Sequence, residues 1–359
     1  MTKEKISSFQ FYSLLFCARL LTLFSYIPAY SEKVLPFDMC AVGVAQLLLE
    51  LILSLPLLIL MKKQPNKGVI DRAGELSTAL SRTVSLIYCA VFFYFTLTTL
   101  SRLDLFAGTV VFSETEVRFG LFFVTAVCCY GACLGFQALG RSAVLVLVPS
   151  AAVVVFVLLT LIKKIDPLNL TPLFYNGAQS FFETLIMSAG RGVELAIPAV
   201  MYGNVTGKKR RGLCIWLVAY AVFFVTAFFM QASVMGGFAQ TQLFPFHSLA
   251  AIGEYSMFRR LDALITVVWL ICAFFKLSLL IYLQARLLSN SFTALKPKPA
   301  AVGVSVIAAL AAFFVSGSID RFILIDKSLI KIISVALCTA VIPLVFLIFD
   351  RRGKQCRKQ

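Results

Sequence analysis

Apolar residues run in blocks long enough to cross a bilayer, and ten such blocks take up most of the chain. They cover approximately 8–28, 38–61, 83–112, 119–139, 142–163, 183–203, 212–232, 262–288, 299–317 and 329–349. A membrane helix needs roughly 20 apolar residues, because the hydrocarbon layer is about 30 Å thick and each helical residue rises about 1.5 Å. The runs are continuous and lack two-residue alternation, so they predict helices rather than the strands of a barrel. Little sequence remains for a soluble domain. The pattern predicts one all-α integral membrane domain of ten transmembrane helices, in two sets of five (about 1–163 and 164–349) with a tail at 350–359.

Composition agrees with that solvent. Hydrophobic residues make up 60% of the 359 positions and charged residues 14%, with 34 phenylalanines, a surface that a soluble domain of this length does not keep dispersed. Lys3 and Lys5 precede the first run as in a signal peptide, but the run is long and has no small-residue cleavage site, so an uncleaved first helix is expected. The formal charge of +16 reads as topology rather than nucleic-acid binding. Lys62, Lys63, Lys67, Arg72 and Arg82 share one connection, Lys208, Lys209, Arg210 and Arg211 another, and Arg351, Arg352, Lys354, Arg357 and Lys358 the tail. The positive-inside rule puts these segments, and both termini, in the cytoplasm.

Ten cysteines and one histidine, His247, form no CxxC pair and no Cys/His cluster; the cysteines read as small apolar packing residues. No metal or other cofactor is expected. No HExxH, GxSxG or phosphate-binding loop occurs, and no enzymatic activity is expected.

The two sets of five echo each other weakly. CAR at 17–19 followed by IPA at 27–29 matches AGR at 189–191 followed by IPA at 197–199. Many secondary transporters consist of two halves of inverted topology, each with a broken first helix at the binding site. The sixth run carries Glu183, Arg191 and Glu194, with Gly190 and Gly192 around the arginine and Pro198 after it. Each glycine costs a helix about 1 kcal/mol relative to alanine, and the proline removes a backbone donor. A break near 188–194 is predicted; the alternative is a proline kink with Arg191 and Glu194 paired one turn apart. Gly131 and Gly135 in the fourth run, with Gly140 just past its end, predict close helix packing. Pro56, Pro149 and Pro343 predict kinks.

Ionisable groups at membrane depth are costly and each needs a partner or a task. Five stand out: Arg19, Glu50, Arg191, Glu194 and Lys276. Glu50 reads chiefly as a structural partner for a neighbouring helix. Lys276 is compatible with replacing a coupling ion, with binding a carboxylate, with pairing to Glu194 or Glu50, and with snorkelling. Arg19 fits either a substrate carboxylate or Glu194. Helix breaks near Arg19 and Arg191 would add free backbone N–H groups suited to a carboxylate.

An ordered set of segments resembles a known family. KISSFQF at 5–11, RLLT at 19–22 and Pro28 resemble the first helix of the spore germination permeases, the GerAB-type B subunits of nutrient germinant receptors. YGACLGFQALGRSA at 130–143 resembles the family's helix-four signature, and GRGVE at 190–194 with Pro198 its sixth helix. Phe244 and Pro245, then FRRLDAL at 258–264, Trp269 and FKLS at 275–278, resemble its helix-eight entry and core.

The resemblance implies an amino acid/polyamine/organocation transporter fold of the LeuT type, a 5+5 inverted repeat with helices 1 and 6 broken. It implies a germinant sensor in the spore inner membrane, beside a larger A-type membrane subunit and a C-type lipoprotein. By position, Leu21, Thr22 and Ser25 would line a pocket for a small germinant, commonly an amino acid, with Gly190, Gly192 and Glu194, and with Trp269 and Lys276. Arg19 and Arg191 join them as charged candidates. Leu21 stands where members often have glycine, and Gln137 replaces a more usual acid. A proton- or sodium-coupled amino-acid or amine transporter is the alternative function.

Overall fold

The computed structural model describes residues 4–27, 35–111, 120–170, 174, 176–254, 261–326 and 328–356. Pro28 and the 258–260 part of the helix-eight entry lie outside these residues. Among the described residues, fifteen α-helices follow in chain order: α1 (Ser8–Phe24), α2 (Asp38–Lys63), α3 (Val69–Leu76), α4 (Thr78–Phe106), α5 (Gly120–Leu134), α6 (Phe136–Leu161), α7 (Gly177–Gly190), α8 (Ile197–Met201), α9 (Lys209–Met235), α10 (Pro245–Ile252), α11 (Asp262–Ser291), α12 (Pro297–Ser316), α13 (Ile319–Ile325), α14 (Ser328–Ala336) and α15 (Ile342–Cys356). Among the described residues, seven helical stretches are long and apolar enough to cross a membrane. The segment from α7 to Asn204 makes an eighth if its two arms, bent by 52°, are one span. α1 and α5 are apolar but shorter, at 17 and 15 residues. The chain is an all-α integral membrane protein.

The helices are amphipathic in the inverted sense that lipid demands. On α2, Val44, Leu48, Ile52, Leu55 and Ile59 recur every three or four residues and face outward, while Gln46, Glu50 and Ser54 lie one turn apart on the buried face. With no hydrophobic drive between helices in lipid, polar pairing and close packing of small residues hold the bundle. α12 uses the second device, turning Ala301, Ala308 and Ala312 inward. The central element is α11, which packs against α1, α4, α5, α6 and α12.

Two expectations are corrected. The boundary between the fourth and fifth runs falls at Gly135, not after Gly140, which lies inside α6. Gly135 has φ +95°, a conformation side chains rarely adopt, and the Glu4 carboxylate accepts a hydrogen bond from Phe136 N–H at 2.8 Å, capping α6. The first helix is not broken near Arg19 either: α1 runs unbroken from Ser8 through Arg19 to Phe24. No glycine or proline occurs between Ser8 and Ile27, and carboxylates from other elements meet the Arg19 charge, so nothing forces the backbone open there. Pro343 follows a π-helical turn, Leu337–Val341.

Gly131 confirms close packing of α5 on α11. A Cβ there would stand 2.7 Å from both the Phe274 ring and Ser278 Oγ. Gly131→Val is therefore expected to lose about 1–3 kcal/mol by overpacking, read as a lowered thermal midpoint of the purified protein in nanodiscs. An unchanged midpoint would place the two helices further apart than this.

At one end of the bundle, a short strand before α1, β1 (Ile6–Ser7), pairs in parallel with β2 (Val205–Thr206), Ile6 opposite Val205. Asn204 Nδ2 donates to the Glu4 carbonyl at 2.9 Å, and Lys209 Nζ donates to the carbonyls of Tyr202 at 2.7 Å and Pro65 at 2.5 Å. These bonds tie the start of α1, the end of the bent span and the α2–α3 connection together.

Candidate functional site

The predicted break is present. α7 ends at Gly190, Arg191 and Gly192 leave the helix, a 3-10 turn covers Val193–Leu195, and α8 starts afresh with Pro198 in its first turn. Pro198 has no N–H to offer the Glu194 carbonyl, which removes the bond that would continue the helix. The two glycines are required by proximity rather than by backbone angle. A Cβ on Gly190 would sit 2.9 Å from the Ile332 backbone nitrogen of α14, and one on Gly192 would overlap the Arg19 guanidinium.

The break delivers Glu194 into a buried charge network. Its carboxylate lies 2.8 Å from Lys276 Nζ on α11 and 3.6 Å from Arg19 on α1. Arg19 also pairs with Glu50 on α2, and its guanidinium lies over the Tyr220 ring at 4.5 Å. Gln46 Nε2 donates to Glu50 at 2.7 Å, and Ser188 Oγ donates to Gln46 at 2.8 Å, which links α2 to α7. Two cations thus meet two carboxylates, all at most 5% exposed. Burying four charges is unfavourable unless they pair this closely. Glu50 is the structural partner expected of it, and Glu194 pairs across to α1 and α11.

Beside the network is a narrow cavity. Its lining includes Leu21, Thr22 and Ser25 from α1, Arg191 from the break, and Trp269, Ala273 and Lys276 from α11. Six residues singled out in the sequence therefore share it: Leu21, Thr22, Ser25, Arg191, Trp269 and Lys276. Arg19, Gly190, Gly192 and Glu194 are not part of its lining. Lys276 Nζ donates to Thr22 Oγ1 at 2.7 Å. Trp269 Nε1 donates to Ser25 Oγ at 2.9 Å, and its ring stacks on Phe106 with centroids 4.1 Å apart. The Arg191 guanidinium lies over the Tyr26 ring at 5.3 Å. The free volume, about 30 Å³, suits about two water molecules.

Sequence reasoning missed the other wall. α4 contributes Thr98, Thr99 and Arg102, and α14 contributes Lys331. Arg102 and Lys331 share one carboxylate, Asp326, each at 2.5 Å, and Arg102 also donates to the Ser25 carbonyl at the end of α1, at 3.3 Å. The signal was available for two of the three. Arg102 lies inside the third apolar run and Lys331 inside the tenth, so the rule that singled out Lys276 applies to both.

The arrangement offers a narrow chamber lined by cations and hydroxyls, with Arg191 of the unwound segment in its wall. Half-broken helices recur where membrane carriers hold small solutes. No curated protein matches the chain. The family model described as spore germination protein matches residues 44–321, which include the break, α4, α11 and all but one of the cavity's lining residues outside α1. The chain belongs to the spore germination permease family.

Proposed function

We propose that this chain is the germinant-sensing, transporter-like subunit of a spore nutrient receptor, holding a small nutrient at the cavity between α1, α4, the α7–α8 break and α11. On the family resemblance that nutrient is an amino acid, and the partners are an A-type membrane subunit and a C-type lipoprotein. The same reading takes the ten apolar runs as ten crossings in two inverted halves. It places the β1–β2 end, with its basic loops, on the cytoplasmic face of the spore inner membrane. The observation that carries it is the break at 190–196 beside a cavity that six sequence-predicted residues share. A chamber with room for about two waters must open to take a nutrient. The nutrient then favours the opened state, and that difference in affinity is what a sensor passes to its partners.

Thr22→Val keeps the shape of the side chain but removes the oxygen that holds Lys276. It is expected to shift the nutrient concentration for half-maximal germination by about tenfold, the scale of a hydrogen bond to a charged group, at unchanged abundance in the spore membrane. An unaltered dose response would remove the cavity from the sensing pathway. The second reading, a coupled transporter, is supported by the buried Glu194–Lys276 pair, an ion pair beside the cavity of the kind on which coupling ions act. Uptake of labelled amino acid into proteoliposomes holding this chain alone would favour transport.

A further inference from the structure

We infer that the cavity is built for one anionic group, and that the nutrient is a small carboxylate of net negative charge rather than a zwitterion or an amine. This rests on the nutrient-binding reading above and departs from its zwitterionic amino acid: it keeps the carboxylate and replaces net neutrality with a net negative charge. Four cationic side chains line the chamber: Arg102, Arg191, Lys276 and Lys331. Among the described residues no carboxylate does. Glu194 reaches the chamber only through Lys276, and Asp326 only through Arg102 and Lys331.

The two charge groups differ in balance. Arg19 and Lys276 meet Glu50 and Glu194, two against two. Arg102 and Lys331 share Asp326, two against one. Arg102 and Lys331 are 9% and 4% exposed, and Arg102 Nε is buried without a hydrogen-bond partner. An unmatched positive charge at this depth is expensive, and an anion in the chamber cancels it. An ammonium group finds the opposite conditions. It faces four cations and, among the described residues, no carboxylate on the lining. The free volume of about 30 Å³ takes a carboxylate head, and the rest of the solute enters as the chamber opens. A chloride ion shares the same chemistry and is the competing source.

The test uses the full-length protein in nanodiscs and three solutes of one three-carbon skeleton: lactate, alanine and alaninamide, with charges of −1, 0 and +1. Calorimetry is expected to rank lactate at least tenfold tighter than alanine, with alaninamide weakest. Lys331→Met leaves Arg102 against Asp326, one to one, and is expected to weaken lactate by about tenfold while leaving alanine unchanged, a charge-selective loss that mere structural damage does not produce. Arg102→Lys keeps the ranking. Alanine or alaninamide binding as tightly as lactate overturns the anion inference and leaves the nutrient-binding reading standing. Chloride binding without lactate binding overturns the carboxylate as occupant. Heat with none of the solutes and none with chloride overturns both readings.

Discussion

Glu194→Gln is expected to destabilise the protein by about 3–5 kcal/mol, the usual cost of removing one partner from a buried ion pair. Adding Lys276→Met is expected to restore most of that loss. Glu194 is 1% exposed and lies between Arg19 and Lys276. Without its charge, Glu50 alone faces two buried cations. Arg19 keeps Glu50 as its partner, but Lys276 keeps only the Thr22 hydroxyl. Replacing Lys276 by an unbranched apolar side chain of similar length removes the unmatched charge and leaves one cation against one carboxylate. The two sites touch, so their effects are strongly non-additive. Membrane abundance and thermal midpoint read the stability; a double variant no better than the single one would mean that Lys276 does not answer Glu194. Nutrient-triggered germination reads the function. A double variant that accumulates normally yet no longer responds supports a role in sensing, and one that responds normally reduces the pair to a fastener.

How much of this was legible in the sequence depends on the range of the interactions involved. Each of the ten apolar runs contains a helix, because length and hydropathy are local properties that the bilayer reads directly. The break at 190–196 was legible for the same reason: Gly190, Gly192 and Pro198 act on their own backbone. The turn at Gly135 was not, since its cap is Glu4, on a segment 132 residues away from the N–H it accepts. The break expected near Arg19 came from the echo between the halves, the charge of Arg19 and the family resemblance. α1 runs through that position, where Glu50 and Glu194 meet the charge, and a charge by itself does not say who answers it. The five ionisable residues were identifiable one by one, and their pairing was not. Asp326 was hidden in another way. It caps α13, between two apolar runs, where a carboxylate looks like an ordinary loop residue until α4 and α14 bring Arg102 and Lys331 to it.

Gly192→Ala is expected to lose about 1–3 kcal/mol by overpacking, and Arg19→Lys in the same chain is expected to remove most of that loss. Gly192 has φ −87° and ψ 52°, so the cost does not come from a conformation closed to side chains. It comes from the Arg19 guanidinium, which occupies the space of the new methyl group. The planar head is held on one side by Glu50 and on the other by Glu194, so it cannot yield without loosening a carboxylate. A lysine at 19 keeps the charge and vacates the plane of the fork. The effect of Gly192→Ala in that background is therefore expected to fall below about 0.5 kcal/mol, as for sites that no longer share a contact. Gly190→Ala is the contrasting case, because the atoms in its way are the backbone of Ile332, and no change at Arg19 relieves it. Thermal midpoints of the four proteins in the Gly192–Arg19 cycle, with Gly190→Ala measured in both backgrounds, decide the matter. Equal losses at Gly192 with arginine or lysine at 19 would show that the unwound segment does not rest on that guanidinium, and the coupling between the break and the buried charges would have to run through Glu194 alone.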